Sequence, residues 1–339
     1  MWIVSPRDDI GCRNQLFLPQ SARRVFATPV SRIAIIGAGA IGSVLGARLH
    51  QAGHDVLLIA RGDRLRSLRL EGLRLSACGV AERARVSVAE SLVDAAPPDH
   101  VIVATKTFQL PAALRLLSRY GNAPLSVLTV QNGVESAQCV QIALPRAMVV
   151  TARMHGFFEL EKDIVYHAGV PPSIVMGPDQ SGFASPLHHR KAAELAAALD
   201  RSGIPTEFVD DARPALWDKF LMAATIGGLA PAVGLTVGQV SLHSEACALL
   251  RLAMDEVAAI ATALGISLPA GCVAEKLAFI RRFPPEATSS LQRDLEAHRP
   301  SEFAHLTGAI PRFAAGSGVP APTADKIIAM LRGRGLLAG

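Results

Sequence analysis

A chain of 339 residues with 50% apolar and 19% charged side chains has the balance of an ordinary globular enzyme and the length for two domains. Its net charge of +5 comes from scattered arginines, and without a dense Lys/Arg tract or interleaved aromatics it excludes single-strand nucleic acid as partner while suiting small anionic ligands. No apolar run approaches the ~20 residues that span a bilayer, and five scattered cysteines without CxxC pairing point to a reducing, cytoplasmic setting.

Residues 1–30 contain Pro6, Asp8, Asp9, Gly11, Pro19 and Pro29 with no period, and read as a poorly ordered N-terminal extension. Arg13, Ser21, Arg23 and Arg24 suit an organelle-targeting peptide; Asp8 and Asp9 count against one. From Ser31 the sequence SRIAIIGAGAIGSVLGARL predicts strand, tight turn, helix. Ile33 to Ile36 form the buried run of a parallel strand, and Ile41 to Leu49 resume with helical spacing. Gly37, Gly39 and Gly42 complete GxGxxG around Ala40 and Ile41. In that pattern the first glycine permits the turn, the second lets a pyrophosphate approach the backbone, and the third lets helix and strand pack closely. The free N–H groups of the helix then face the phosphates. A glycine turn with no ligand is the bland alternative.

A second strand, Asp55 to Ala60, follows at the distance this unit requires, and the residue after it bears on the choice of dinucleotide. A carboxylate there binds the ribose hydroxyls of NAD, whereas this chain has Arg61, followed by Arg64 and Arg66. A guanidinium fork favours the 2′-phosphate of NADP. A solvated loop cation is the other reading of Arg61.

Further along, a helix, turn and strand are expected after Arg61, a short strand at Val86, a buried strand at Asp99–Thr105, a helix at Gln109–Tyr120, a strand at Leu125–Gly133 and a helix at Glu135–Leu144. Such alternation means a doubly wound parallel sheet of Rossmann type. From Met148 short alternating strands suggest an antiparallel extension, closed by a helix over Ala192–Arg201 and a strand at Thr206–Val209. Beyond Asp210 the pattern becomes helical, over Pro214–Ile226, Glu245–Leu264, Gly271–Arg281, Glu302–Ala315 and Thr323–Leu331. The expected fold class is α/β, with a dinucleotide domain over 31–210 and an all-helical domain over 211–335.

Three polar clusters fall where this architecture puts chemistry. Lys106 and Asn132 each follow the carboxyl end of a parallel strand. Lys219 sits in the apolar helix LWDKFLMAATIGG, and SSLQRDLEAHRPSEF supplies Ser289, Ser290, Asp294, Glu296 and Glu302. Each has a bland reading. Lys219 could snorkel into solvent, Asn132 could only form a turn with Gly133, and Glu302 could be a first-turn carboxylate behind a Ser301 cap. The ten histidines include no HExxH and no metal-ligand spacing, and there is no GxSxG nucleophile, which leaves hydride transfer.

These residues together resemble the ketopantoate reductase (2-dehydropantoate 2-reductase) family, through GAGAIG, VATKTFQ around Lys106, VQNGVE around Asn132, LWDKF around Lys219, and SSLQRD with SEF around Ser290 and Glu302. The likeness runs from about Ser31 to Arg332. It implies NADPH and a 2-oxo acid enclosed between the two domains. It implies that Lys219 protonates the substrate oxygen as hydride arrives, that Glu302 orients Lys219, and that Ser290 lies near the substrate carboxylate. It further implies that Asn132 lies beside nicotinamide and substrate, Lys106 near the cofactor and Arg61 on the 2′-phosphate.

One departure stands out. The family carries substrate-binding asparagines one and two turns after the lysine, where this chain has Ala223 and Gly227 on the Lys219 face. A wider, less polar pocket floor is therefore expected. The leading reading is reduction of ketopantoate to pantoate in pantothenate synthesis. A reductase of a bulkier or more apolar 2-oxo acid is the alternative, and a non-catalytic NADP-binding relative the third. A homodimer through the helical domain is expected from its many apolar helices.

Overall fold

The computed structural model describes residues 2–3, 30–77, 80–120, 125–179 and 185–337. Apart from β1 (Trp2–Ile3) and Val30, the expected N-terminal extension lies outside the described residues. The chain divides into two compact units. One holds the described residues of Pro6–Gln131 and Ser136–Ala212, the other those of Met1–Ser5, Asn132–Glu135 and Arg213–Gly339.

The first unit is built on β2 (Arg32–Ile36), α1 (Ala40–Gln51), β3 (Asp55–Ile59), α2 (Gly62–Glu71), β4 (Leu73–Ala77), β5 (Val80–Ala84), β6 (Ser87–Ala89) and β7 (His100–Val103). It continues through α3 (Leu110–Leu117), β8 (Ser126–Thr129), α4 (Ser136–Ala143), β9 (Met148–Glu161), β10 (Ile164–Gly177), α5 (Pro186–Arg201) and β11 (Thr206–Phe208). The strands form one sheet in the order β5-β4-β10-β9-β8-β7-β2-β3-β6, with β11 alongside β10. Its centre is parallel, with Ile35 opposite Leu58 on β3 and Ile102 on β7, so these apolar runs are covered on both faces. Because β2 is followed in sequence by β3 on one side while β7 lies on the other, the chain reverses its winding beside the end of β2. That crevice is where open α/β sheets take ligands.

The antiparallel extension differs from the short strands expected. β9 and β10 are 14 residues each, joined at Lys162 and Asp163, which both take positive φ. A register shift between Ala168 and Ser173 lets the first half of β10 pair with β4 and the second half with β11. That bulge breaks the alternation midway, which is why the sequence reads as two short pieces.

His100, at the start of β7, is buried, and its Nδ1 has no hydrogen-bond partner among the described residues. Burial is the main cause that lowers its pKa to about 4; Lys191 and His54 push the same way and Asp99 opposes them. In the unfolded chain a histidine titrates near 6.5. The unfolded state therefore binds the proton first as pH falls, and the stability present above that value drains away toward about 4. Urea unfolding should show that His100→Gln weakens the loss of stability between neutral and mildly acidic pH by about 2 kcal/mol. An unchanged pH dependence would contradict this reading.

The second unit is almost wholly helical: α6 (Arg213–Val233), α7 (Val237–Val240), α8 (Ser244–Ala263), α9 (Cys272–Ile280), α10 (Ser290–Glu296), α11 (Ile310–Ser317) and α12 (Pro322–Gly333). The two-residue β1 pairs with β12 (Thr288–Ser289). Two expectations need correction. α6 runs past Ile226, because Gly227 and Gly228 admit neighbours instead of ending the helix. A Cβ on Gly228 would lie 2.5 Å from the Thr307 side chain, whose hydroxyl donates to the Ala224 carbonyl. Nor does a helix begin at Glu302. Two 3₁₀ turns, Phe303–His305 and Thr307–Ala309, precede α11, which starts where Pro311 fits a first turn that needs no N–H.

Candidate active site

In the first unit the glycine-rich turn follows directly on the end of β2. Gly37 has φ +112, and a Cβ there would lie 2.8 Å from the backbone carbon of Ala104. The glycine turn thus lies directly against the chain leaving β7. A Cβ on Gly42 would overlap the Gly37 carbonyl oxygen, so α1 can start this close to the turn only with glycine at that position. Gly39 is the opposite case. It is exposed, and a Cβ there would meet nothing within 4 Å. The backbone is bare and approachable where the motif puts a pyrophosphate, and Ala40 and Ile41, the first residues of α1, are half-exposed beside it.

The three arginines after β3 have separate positions. Arg61 is exposed and stands just before α2. Arg66 pairs with the exposed Asp63. Arg64 turns inward: Nε donates to the Ala38 carbonyl at 3.0 Å, Nη2 to Ser43 Oγ at 3.0 Å, and Nη1 to Asp163 Oδ1 at 3.0 Å. Of the three, only Arg64 has its guanidinium committed to partners in the glycine turn and α1. Lys106 follows β7 and is half-buried. Its carbonyl accepts from Gln131 Nε2, which also donates to Thr105 Oγ1 at 3.1 Å. Gln131, buried at the end of β8, is a brace that the sequence reading passed over. Its only signal was its place just before Asn132.

The second unit contains Lys219, Ser290 and Glu302, and it includes Asn132. The Asn132 side-chain amide donates to Glu302 Oε2 at 2.9 Å, joining residues 170 apart in sequence. Glu302 is only 4% exposed, which sets aside the solvated first-turn carboxylate. The Ser301 hydroxyl accepts from the Phe303 N–H at 3.4 Å, but in a local turn with no α-helix behind it to cap. Gly133 takes φ +92, so the turn reading of the Asn132–Gly133 pair holds as well. The same segment is tied down by Glu135, whose Oε2 accepts from Arg312 Nη2 at 2.7 Å. Arg312 also donates to the carbonyls of Ala304 and Gly308, just after Glu302.

Lys219 is half-buried on α6. Its neighbours fix the rotation of that helix. Trp217 packs tilted, and Phe220 edge-to-face, against Phe313 of α11 at 5.1 and 5.7 Å between ring centroids, and Asp218 pairs with Lys276 of α9 at 2.5 Å. With those faces committed, Lys219 and Ala223 are left half-buried on a third. The wider pocket floor is not found at Gly227. A Cβ on Gly227 would lie 3.2 Å from Leu291 Cδ2 and 3.7 Å from Ser289 Oγ, so Leu291 of α10 occupies that space. Thr225 does not replace the amides either, since its buried hydroxyl donates to the Leu221 carbonyl at 2.7 Å. The space beside Gly227 is filled, by the Leu291 side chain with the Ser289 hydroxyl behind it. Ser289 caps α10 by accepting from the Gln292 N–H at 3.0 Å, while Ser290 is the half-buried first residue of that helix. Leu291 was missed because the sequence gives no sign that α10 packs on α6.

No helix among the described residues is long and apolar enough to cross a membrane, and no group of three His, Cys, Asp or Glu there could hold a metal ion.

Residues 33–181 match the family model described as ketopantoate reductase PanE/ApbA, and residues 211–335 match the model of that family's C-terminal part. The chain is 28% identical over 317 residues to the 2-dehydropantoate 2-reductase of Mesorhizobium japonicum, covering 89% of this chain and 97% of that one. It is 29% identical over 302 residues to the Mycobacterium tuberculosis enzyme of the same name, covering 88% and 96%. Among solved structures, the PanE/ApbA family ketopantoate reductase from Ralstonia eutropha JMP134 is 30% identical with a TM-score of 0.78, covering 89% and 97%. A D-mandelate dehydrogenase with NADH and anilino(oxo)acetate is 26% identical with a TM-score of 0.77, over the same shares.

Proposed function

Because the chain belongs to the ketopantoate reductase PanE/ApbA family, an oxidoreductase family, we propose that it reduces a 2-oxo acid to the 2-hydroxy acid with NADPH, 2-dehydropantoate being the first substrate to test. The observation that carries the reading is the buried Glu302 carboxylate, held by the Asn132 amide in the same unit as the half-buried Lys219. Gly37, Gly39, Ala40, Ile41 and Gly42 hold the pyrophosphate, Arg61 the 2′-phosphate, and Lys106 lies by the cofactor. The bound dinucleotide supplies the hydride. Lys219 donates a hydrogen bond to the 2-oxo oxygen and passes it a proton as negative charge builds there. Glu302 orients the Lys219 ammonium, Asn132 fixes Glu302 and lines the substrate site, and Ser290 donates to the substrate carboxylate.

A second reading rests on the packing at Gly227. With Ala223 and Leu291 where amides would meet the substrate's polar groups, the site takes a more apolar 2-oxo acid, such as an aryl one. The likeness to D-mandelate dehydrogenase supports this, mandelate being an aryl 2-hydroxy acid. That relative was solved with NADH, whereas Arg61 argues for NADPH in this chain.

The test is the rate of NADPH and NADH oxidation with 2-dehydropantoate, phenylpyruvate, benzoylformate and 2-oxoisovalerate. The first reading expects kcat/KM for 2-dehydropantoate to exceed the aryl acids by ~100-fold or more, which requires that other residues pair the substrate hydroxyl in place of the missing amides, since a site that pairs a hydroxyl rejects its absence. The second expects the order reversed. Oxidation with none of them would overturn both and leave a non-catalytic NADP-binding relative.

A further inference from the structure

The proposed dinucleotide cradle lies beside a cation that the glycine motif does not require. Arg64 enters from α2, its side chain only 15% exposed, and its guanidinium joins three separate pieces of the first unit. Nε takes the Ala38 carbonyl, inside the glycine turn; Nη2 takes Ser43 Oγ, in the first turn of α1; Nη1 takes both the carbonyl and Oδ1 of Asp163, at the tip of the β9–β10 hairpin. Ser43 is fully buried, and its own hydroxyl also reaches the Ala38 carbonyl at 3.3 Å.

The consequence follows from peptide geometry. In a trans peptide the C=O and the N–H point in opposite directions, and no peptide bond among the described residues is cis. Fixing the Ala38 carbonyl on Arg64 therefore fixes the N–H of Gly39 on the other side of the same plane. Gly39 is the exposed residue with open space around its Cα. We propose that Arg64 is a positioning residue for the dinucleotide: it clamps the Ala38–Gly39 peptide so that the Gly39 N–H is aimed at the pyrophosphate, with Asp163 as the anchor that holds the guanidinium in place. The arginine acts through the backbone and does not itself bind the 2′-phosphate. A glycine turn is otherwise free to rotate this peptide, so the clamp removes conformations that would have to be given up on binding.

This rests on the dinucleotide reading of the first unit, and the experiment separates the two. Binding of NADPH, NADH, ADP-ribose and 2′-AMP to the full chain is measured by calorimetry without 2-oxo acid, for wild type, Arg64→Gln, Arg64→Lys, Asp163→Asn and Arg61→Ala. Arg64→Gln should weaken NADPH, NADH and ADP-ribose alike, by about tenfold, and leave 2′-AMP unchanged because it has no pyrophosphate. Arg64→Lys, which reaches only one of the three partners, should fall between, and Asp163→Asn should weaken the same three ligands by about threefold. Arg61→Ala should instead weaken NADPH and 2′-AMP and spare NADH. Equal affinities in Arg64→Gln and wild type would overturn the proposal, and so would a loss confined to NADPH and 2′-AMP. If Arg64→Gln does not fold, Asp163→Asn decides by the same pattern. Failure of wild type to bind any of the dinucleotides would sink the dinucleotide reading itself.

Discussion

Lys219→Ala should lower kcat by ~10³-fold while leaving the affinity for NADPH unchanged. General acid catalysis by a positioned side chain contributes on the order of 10²–10⁴, and in the proposed mechanism Lys219 both transfers the proton and stabilises the developing oxyanion. The helix should tolerate the change. Lys219 is half-buried, alanine favours helix, and the contacts that seat α6, from Trp217 and Phe220 to Phe313 and from Asp218 to Lys276, involve other residues. Lys219→Arg separates charge from proton transfer. It keeps a cation but holds its proton too tightly to give it up, so it should restore little of the rate. Single-turnover oxidation of NADPH under saturating 2-oxo acid is the measurement. A kcat for Lys219→Ala within threefold of wild type would remove the lysine from the proposed mechanism.

Gly42→Ala and Gly39→Ala should both abolish NADPH binding at concentrations that saturate the wild type, for opposite reasons. At Gly42 the added Cβ would overlap the Gly37 carbonyl oxygen, and backbone cannot swing aside as a side chain can. The turn and α1 must separate, at a cost of ~3 kcal/mol in stability as well as the lost affinity. At Gly39 the Cβ would meet no protein atom within 4 Å, so the folded chain barely notices it. Stability should stay within ~0.5 kcal/mol of wild type, while the methyl occupies the space a pyrophosphate needs. Thermal unfolding and equilibrium binding together check this. A Gly39→Ala variant that binds NADPH as wild type does would place the phosphates elsewhere.

Some of the site was readable because the information is local. GxGxxG between an apolar strand and a helical run specifies its own geometry within a dozen residues, and the structure returns β2, the turn and α1 over that span. The long apolar helix bearing Lys219 was likewise evident, though its end was not. Two glycines look like a stop in sequence and prove to be places where Leu291 and Thr307 approach.

What the sequence by itself determined is most of the elements and the chemistry they could carry: a doubly wound unit, a helical unit, and Lys219, Glu302, Asn132 and Arg61 as the residues to watch; α7, α10 and the 3₁₀ turns after Glu302 were not legible in it. Only the tertiary structure decided which of these meet. It joined Asn132 to a buried Glu302, separated an exposed Arg61 from an Arg64 built into the glycine turn, and filled the place beside Gly227 with Leu291. The reason is physical. Secondary structure and turn chemistry depend on neighbours within a few residues, whereas burial, hydrogen-bond partners and filled space depend on segments that only packing brings together.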